Sequence, residues 1–322
     1  MMTIFRLGYV AMSKQVTNSS PSQTMTFKTF SQLNDREAAK RKLERIARSN
    51  IHNCLRLLKH NKALDISFFR LSSRLIPLAT HEDLSEWHYY ESLKEDLQQL
   101  GAYALANDMR IDFHPDHFVV LNSPKEEILK ASVKTLRYHH RLLSAMKIPV
   151  KHRCVLHVGG LYGDKEKALE KFIDNWSRMN EELQKMIMLE NDDKTFTLKD
   201  VLYLSEKLGV PTVFDLHHHI ANHEESDWCL DWPRVLETWR TSGLPVKIHL
   251  SSPKNEKNFR HHADFLDVNM VVEFARKVSG TTEQIDCMLE AKQKDDALIQ
   301  LVEELKEIPQ INWINKSTFE LK

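Results

Sequence analysis

The sequence predicts an α/β protein folded as a single (β/α)8 TIM barrel, with a metal site at the carboxyl-terminal ends of its strands. Three observations lead there. Short apolar runs alternate about eight times with longer stretches of helical periodicity. Most of those runs end in a histidine or a carboxylate: MRIDFH at His114, CVLH at His157, MIMLE at Glu190, VFD at Asp215, VKIH at His249 and IDCMLE at Glu290. The first strand is not followed by the glycine-rich turn that a dinucleotide-binding open sheet needs. A doubly wound open sheet is the competing architecture, but only closure brings strand ends from the whole chain to one place.

The first strand is expected over 3–9, followed by a polar loop, TNSSPSQTMT (17–26), which on a barrel lies on the active face. A helix then runs from Asp35, placed as N-cap, to His60, with Ala38, Leu43, Ile46, Ala47, Leu55 and Leu58 on one face. Further strands are expected over 65–71, 109–114, 153–158, 186–190, 211–215, 245–250 and 285–290. Between them lie helices over 86–106, 124–146, 165–183, 197–208, 231–242, 267–278 and 293–307. Pro124 and Pro233 sit where helix starts favour proline, and Gly101 and Gly209 where helix ends favour glycine. The barrel accounts for residues 1–307, and 308–322 is expected to be a tail packed outside it.

Lys+Arg and Asp+Glu are both 45, so no global field attracts a polyanion. Any nucleic-acid binding would then have to rest on bound cations and on local basic stretches such as KIPVKHR (147–153) and SSPKNEKNFRHH (251–262). The four cysteines (Cys54, Cys154, Cys229, Cys287) form no CxxC pair, which predicts reduced thiols and a cytoplasmic protein. The start lacks a signal-peptide pattern, and no apolar run reaches the roughly 18 residues that span a bilayer.

Polar residues at the carboxyl ends of barrel strands converge on the active face. Imidazoles and carboxylates without thiolates suit divalent manganese, zinc, cobalt or iron. Glu190 and Glu290 are placed to bridge two ions, and His218 lies three residues past Asp215 on the same rim. His262, in FRHHAD, and His81, in the loop after the second strand, are further candidates, whereas His217 and His219 point away on alternation and are expected to support the ligands from behind or to be solvated. Lys247 shares a strand face with His249. It can contact a phosphate, become carbamylated into an extra ligand, or pair with a nearby carboxylate. Such a site suits phosphodiester hydrolysis, and it equally suits aldose–ketose isomerisation.

The motifs RLGYVAMS, FRLSSRLIPLATH, DFHPDHF, LHVGG, LEND, FDLHHH, VKIHLSS and MLEAKQKD resemble, in that order, the UV damage endonuclease family. They cover the chain from about Phe5 to Asp296. That family is similar in fold to endonuclease IV and the xylose-isomerase-like barrels. The resemblance implies a metal-dependent, ATP-independent endonuclease that nicks double-stranded DNA immediately 5′ of UV photoproducts, both cyclobutane dimers and 6-4 products. The nick leaves a 3′-hydroxyl and a 5′-phosphate. Two or three divalent ions per chain are implied, manganese first, with zinc, cobalt or magnesium as alternatives, in a monomer without nucleotide cofactor.

Carried onto this sequence, the ligand shell falls on His81, His114, His157, Glu190, Asp215, His218, His249, His262 and Glu290. Lys247, Glu190 and Glu290 take catalytic roles, with Tyr9 near the scissile region. Where the family shows Gly-Gln-Tyr as a wedge into the duplex, this chain has Asp116, His117 and Phe118. His117 and Phe118 keep the chemistry of a wedge, and Ser13 stands in for a family asparagine. An abasic-site endonuclease, a sugar isomerase and a non-catalytic DNA-binding module are the alternatives.

Overall fold

The computed structural model describes residues 2–321. Among them are eight parallel strands: β1 (Ile4–Val10), β2 (Phe68–Arg70), β3 (Arg110–Asp112), β4 (Cys154–His157), β5 (Ile187–Glu190), β6 (Thr212–Asp215), β7 (Val246–Leu250) and β8 (Gln284–Leu289). Their order is β3-β2-β1-β8-β7-β6-β5-β4. The two ends of that row meet at Phe113, whose N–H donates to Arg153 O at 2.8 Å and whose carbonyl accepts from Val155 N at 3.0 Å. The sheet is therefore a barrel, and the open-sheet alternative is excluded.

The surrounding helices are α1 (Phe27–Ser31), α2 (Arg36–Ala63), α3 (Tyr89–Ala106), α4 (Glu126–Ala145), α5 (Lys165–Ser177) and α6 (Glu181–Met186). They continue as α7 (Leu198–Leu208), α8 (Leu216–Ala221), α9 (Trp232–Trp239), α10 (Val268–Val278) and α11 (Asp295–Lys306). Asp35 caps α2 by accepting from Ala38 N at 3.0 Å, and Gly209 ends α7 in the left-handed region at φ 68°. Pro233 lies in the first turn of α9, while Pro124 falls just before Lys125, the N-cap of α4. The helix expected over 165–183 breaks at Asn180, whose side chain accepts from Glu182 N and starts α6. Gly101 ends no helix. It lies inside α3, where a Cβ would stand 1.8 Å from Met146 O, so it serves the close approach of two helices.

Every residue of β2, β3, β5, β6 and β7 is buried, as a parallel sheet sheathed by helices requires. The lumen is charged where barrels usually carry branched apolar side chains. At its base Arg6 donates twice to Asp286, at 2.8 Å each, and Arg110 Nη1 donates to the same carboxylate at 2.8 Å. Next comes Lys247, whose Nζ donates to Asp112 Oδ2 at 2.6 Å. Residues two apart along a strand face one side. The columns Arg110–Asp112–His114, Lys247–His249 and Asp286–Met288–Glu290 thus climb from buried ion pairs at the base to ligand-type residues at the mouth.

The expected tail is structured. Strands β9 (Ile311–Asn315) and β10 (Thr318–Leu321) form a hairpin, with Lys322 outside the described residues. β10 pairs antiparallel with Ile4–Arg6 of β1, the stretch below the β1–β2 pairing at Gly8–Val10. Phe319 stacks on Phe5 at 5.1 Å, so the hairpin extends the sheet. No helix among the described residues is long and apolar enough to cross a membrane.

Candidate metal centre

The strand ends deliver the site. His157, Glu190 and Asp215 are the last residues of β4, β5 and β6, His249 lies in β7, and His114 and Glu290 follow β3 and β8. Asp215 also caps α8: its Oδ1 accepts from His218 N at 2.7 Å, which turns His218 into the same space. Among the described residues three groups of donor atoms converge: His114–His157–Glu190, Glu190–Asp215–His218 and Glu190–His249–Glu290. Glu190 belongs to all three. Its Oε2 lies 2.8 Å from His114 Nε2 and 3.6 Å from His157 Nε2, and its Oε1 lies 2.6 Å from His249 Nδ1.

The donor set fits a divalent cation. His114 Nδ1 faces the carbonyl of Pro115 at 3.1 Å and must carry a proton to donate there. That leaves the Nε2 lone pair against a Glu190 oxygen, two acceptors face to face, unless a proton or a metal sits between them. Such carbonyl-fixed imidazoles are the usual support of metal ligands. His218 Nδ1 is likewise held by a carbonyl, 2.9 Å from Asn191 O, and the same nitrogen lies 3.5 Å from Glu190 Oε1 and 3.7 Å from Asp215 Oδ2. Asp215 Oδ2 is buried without a hydrogen-bond partner. Three carboxylates held together with an unpaired oxygen need positive charge nearby.

The electrostatics give a measurable consequence. Burial pushes Asp215 up to about 8, a rise that His218 opposes and that the Glu190 and Glu290 charges add to. Burial acts to lower His218, but the Asp215, Glu190 and Glu290 charges overcome it and raise the imidazole to about 9. In metal-free protein the Asp215–His218 pair retains at least one proton at neutral pH, which a cation must displace. Affinity for manganese should therefore rise with pH until about 9, with proton release on binding. Calorimetry in buffers of different ionisation enthalpy checks this, and a pH-independent affinity would contradict it.

Other expected residues fall elsewhere. His262 Nε2 stands 3.8 Å from Glu290 Oε2, at the edge of the shell. His81 is not brought in: its ring stacks on Phe27 at 3.9 Å and its Nδ1 accepts from Asp83 N. Tyr9, expected near the scissile region, points outward from β1, is fully buried and donates to Asn61 of α2 at 2.6 Å. Ser13 is engaged by Asp295 and by the N–H groups of Gln15 and Val16, so it anchors its own loop. Lys247 Nζ lies against Asp112 at 2.6 Å, one of the pairings that its strand position left open.

The wedge positions are where a duplex can reach them. Phe118 is 71% exposed, and the His117 and Phe118 rings lie 4.1 Å apart. Asp116, unfavourable beside a phosphate backbone, is paired with Arg74 at 3.2 Å. A mouth cavity of about 420 Å³, lined in part by Arg70, Arg74, His114, His117 and His157, joins wedge and shell. Of the two basic stretches, 251–262 follows β7 and lies on this face, but 147–153 precedes β4 and lies at the opposite end.

Three further residues support the site, of which Asn191 and Arg70 were missed by sequence reasoning. Asn191 holds the Asp215 backbone at both N–H and carbonyl, and His217 bonds Ser251 and the Phe259 carbonyl, fixing the loop after β7. Arg70 is the third, with Nη2 2.7 Å from His249 Nε2 and 2.6 Å from Glu290 Oε1. Its signal was visible: the second strand ends in an arginine where its neighbours end in ligands.

A (β/α)8 barrel that gathers histidines and carboxylates around one shared glutamate at its mouth defines a class of barrels able to hold metal ions at their strand ends. Residues 5–322 match the model of a family described as UV-endonuclease UvdE. A UV DNA damage endonuclease of Halalkalibacterium halodurans is 49% identical over 316 residues, covering 98% of each chain. One from Bacillus pumilus is 38% identical over 319 residues, covering 99% of each. A crystal structure of SacUVDE superposes with a TM-score of 0.83 at 30% identity, covering 94% of this chain and 99% of that one. Endonuclease IV from Thermus thermophilus, at 14% identity and a TM-score of 0.54 over 94% of this chain and 99% of that one, shares the fold. The chain belongs to the UV-endonuclease UvdE family and is an endonuclease acting on DNA.

Proposed function

We propose that this endonuclease nicks double-stranded DNA immediately 5′ of UV photoproducts, using two or three divalent ions, manganese first, and leaving a 3′-hydroxyl and a 5′-phosphate. The observation that carries the reading is the placement of an exposed His117–Phe118 step beside a shell of three donor groups sharing Glu190. An exposed aromatic step offers ring faces on which unpaired or distorted bases stack, and the shell lies one cavity away, where a backbone phosphate is drawn in. When bound, divalent ions lower the pKa of a water toward about 7 and offset phosphate charge. The chain's own residues do the rest. Glu190 and Glu290 hold the centre together, and the Pro115 and Asn191 carbonyls keep His114 and His218 aimed inward. Lys247 takes its place directly below His249 on the same strand face, and the mass of the intact protein reads whether it carries a carbamate.

A duplex with a single pyrimidine dimer, incubated with manganese and without ATP, tests the proposal by mapping the cut. Incision only at abasic sites, or sugar turnover instead, would overturn it. The wedge gives a second test. His117→Ala with Phe118→Ala should reduce incision at a dimer about 10- to 100-fold, the scale of losing base stacking at roughly 1–3 kcal/mol. Equal loss on undamaged and dimer-bearing DNA would argue against lesion recognition by this step. We read the working unit as a monomer, which light scattering on the protein with and without DNA checks.

A further inference from the structure

Arg70 stands inside the shell, 6% exposed, at the end of β2. Its Nη2 directs an N–H at His249 Nε2 from 2.7 Å and lies 2.6 Å from Glu290 Oε1. A guanidinium only donates, so His249 Nε2 must be the accepting, unprotonated nitrogen. Neutral imidazole then carries its proton on Nδ1, which donates to Glu190 Oε1 at 2.6 Å. His249 is thus fully satisfied by protein groups, unlike His114, whose proton points to a carbonyl and whose Nε2 lone pair faces Glu190. Its Nδ1 can meet a metal only if the proton moves to Nε2, and an Nε2–H would then face the Arg70 N–H at a distance that permits no bond.

We propose that Arg70 is a built-in cation occupying the Glu190–His249–Glu290 group, so that metal enters this group only by displacing the guanidinium from His249. Arg70 is a positioning residue in this account. It stabilises the carboxylates before metal arrives and makes this group the last and weakest to fill. The other two groups, which Arg70 does not contact, load first.

The inference rests on the metal reading above, and the test separates the two. Manganese is titrated by calorimetry into metal-free wild-type, Arg70→Gln and Arg70→Lys proteins, with circular dichroism confirming that each is folded. Wild type should show a tight and a weak class of sites. Arg70→Gln should tighten the weak class at least about 10-fold, and Arg70→Lys, which keeps the charge, should tighten it less. Imidazole ¹⁵N shifts give a reading independent of activity: His249 should be the Nδ1–H tautomer without metal and should switch on filling the weak class. A weak class unchanged or weakened in Arg70→Gln, or an Nε2–H His249 in metal-free protein, would overturn the inference while leaving the metal centre standing. No manganese binding to wild type would overturn the metal reading and this inference with it.

Discussion

Glu190→Gln should abolish incision, lowering the rate by on the order of 10³-fold or more, and should strip the protein of tightly bound metal. The reason is geometric. One carboxylate serves all three donor groups, with Oε2 toward His114 and His157 and Oε1 toward His249 and His218. Glutamine keeps the shape, but it removes the negative charge and turns one oxygen into a donor that faces imidazole. No other residue of the shell is shared so widely, so Glu290→Gln should disturb only the group it belongs to. Elemental analysis alongside an incision assay separates the two variants. Full metal content in Glu190→Gln would show that the groups do not depend on it.

Asp286→Ala should destabilise the fold by about 3–5 kcal/mol, the usual consequence of removing one member of a buried ion cluster. Asp286 is fully buried and accepts from both Arg6 and Arg110. Alanine would leave two guanidinium groups in the barrel base without their anion. On the usual scale this lowers the melting temperature by roughly 10 °C, and an unchanged value would refute the argument. Protonation should mimic the mutation. Burial acts to raise the Asp286 carboxyl, but Arg110 and Arg6 outweigh it and hold the group below its ordinary range. A depressed folded-state value means that this stabilisation is present above about pH 4 and is lost as pH falls through the folded value. The wild-type melting temperature should drop steeply in that acid window, and Asp286→Ala should drop less.

Barrel and shell were legible because both are local rhythms. Strand and helix periods follow from hydrophobic burial, and a ligand at each strand end needs only knowledge of where the strand stops. What was not legible depends on side-chain direction and on partners far along the chain. Tyr9 ends a strand like the others, but strand alternation turns it outward to Asn61, 52 residues away. His81 has the right chemistry in the right loop, and its flat ring finds Phe27 instead. Arg70 escaped notice because cations are not sought among metal ligands. The hairpin of 311–321 escaped because a strand is recognisable as such only beside the edge it covers, here that of β1.

That hairpin sets the order in which the molecule can finish folding. β1 is made first, yet its lower half pairs with Thr318–Glu320, and its long edge pairs with Gln284–Leu289. Both contacts span nearly the whole sequence, so the loops that close them are among the longest the chain can form. During synthesis the upper half of β1 can pair with β2 and dock Tyr9 on α2, while the lower half waits with Phe5 lacking its stacking partner Phe319. The barrel seam is therefore a late event, and a nascent chain shortened within β10 should expose an apolar strand edge to aggregation and to chaperones.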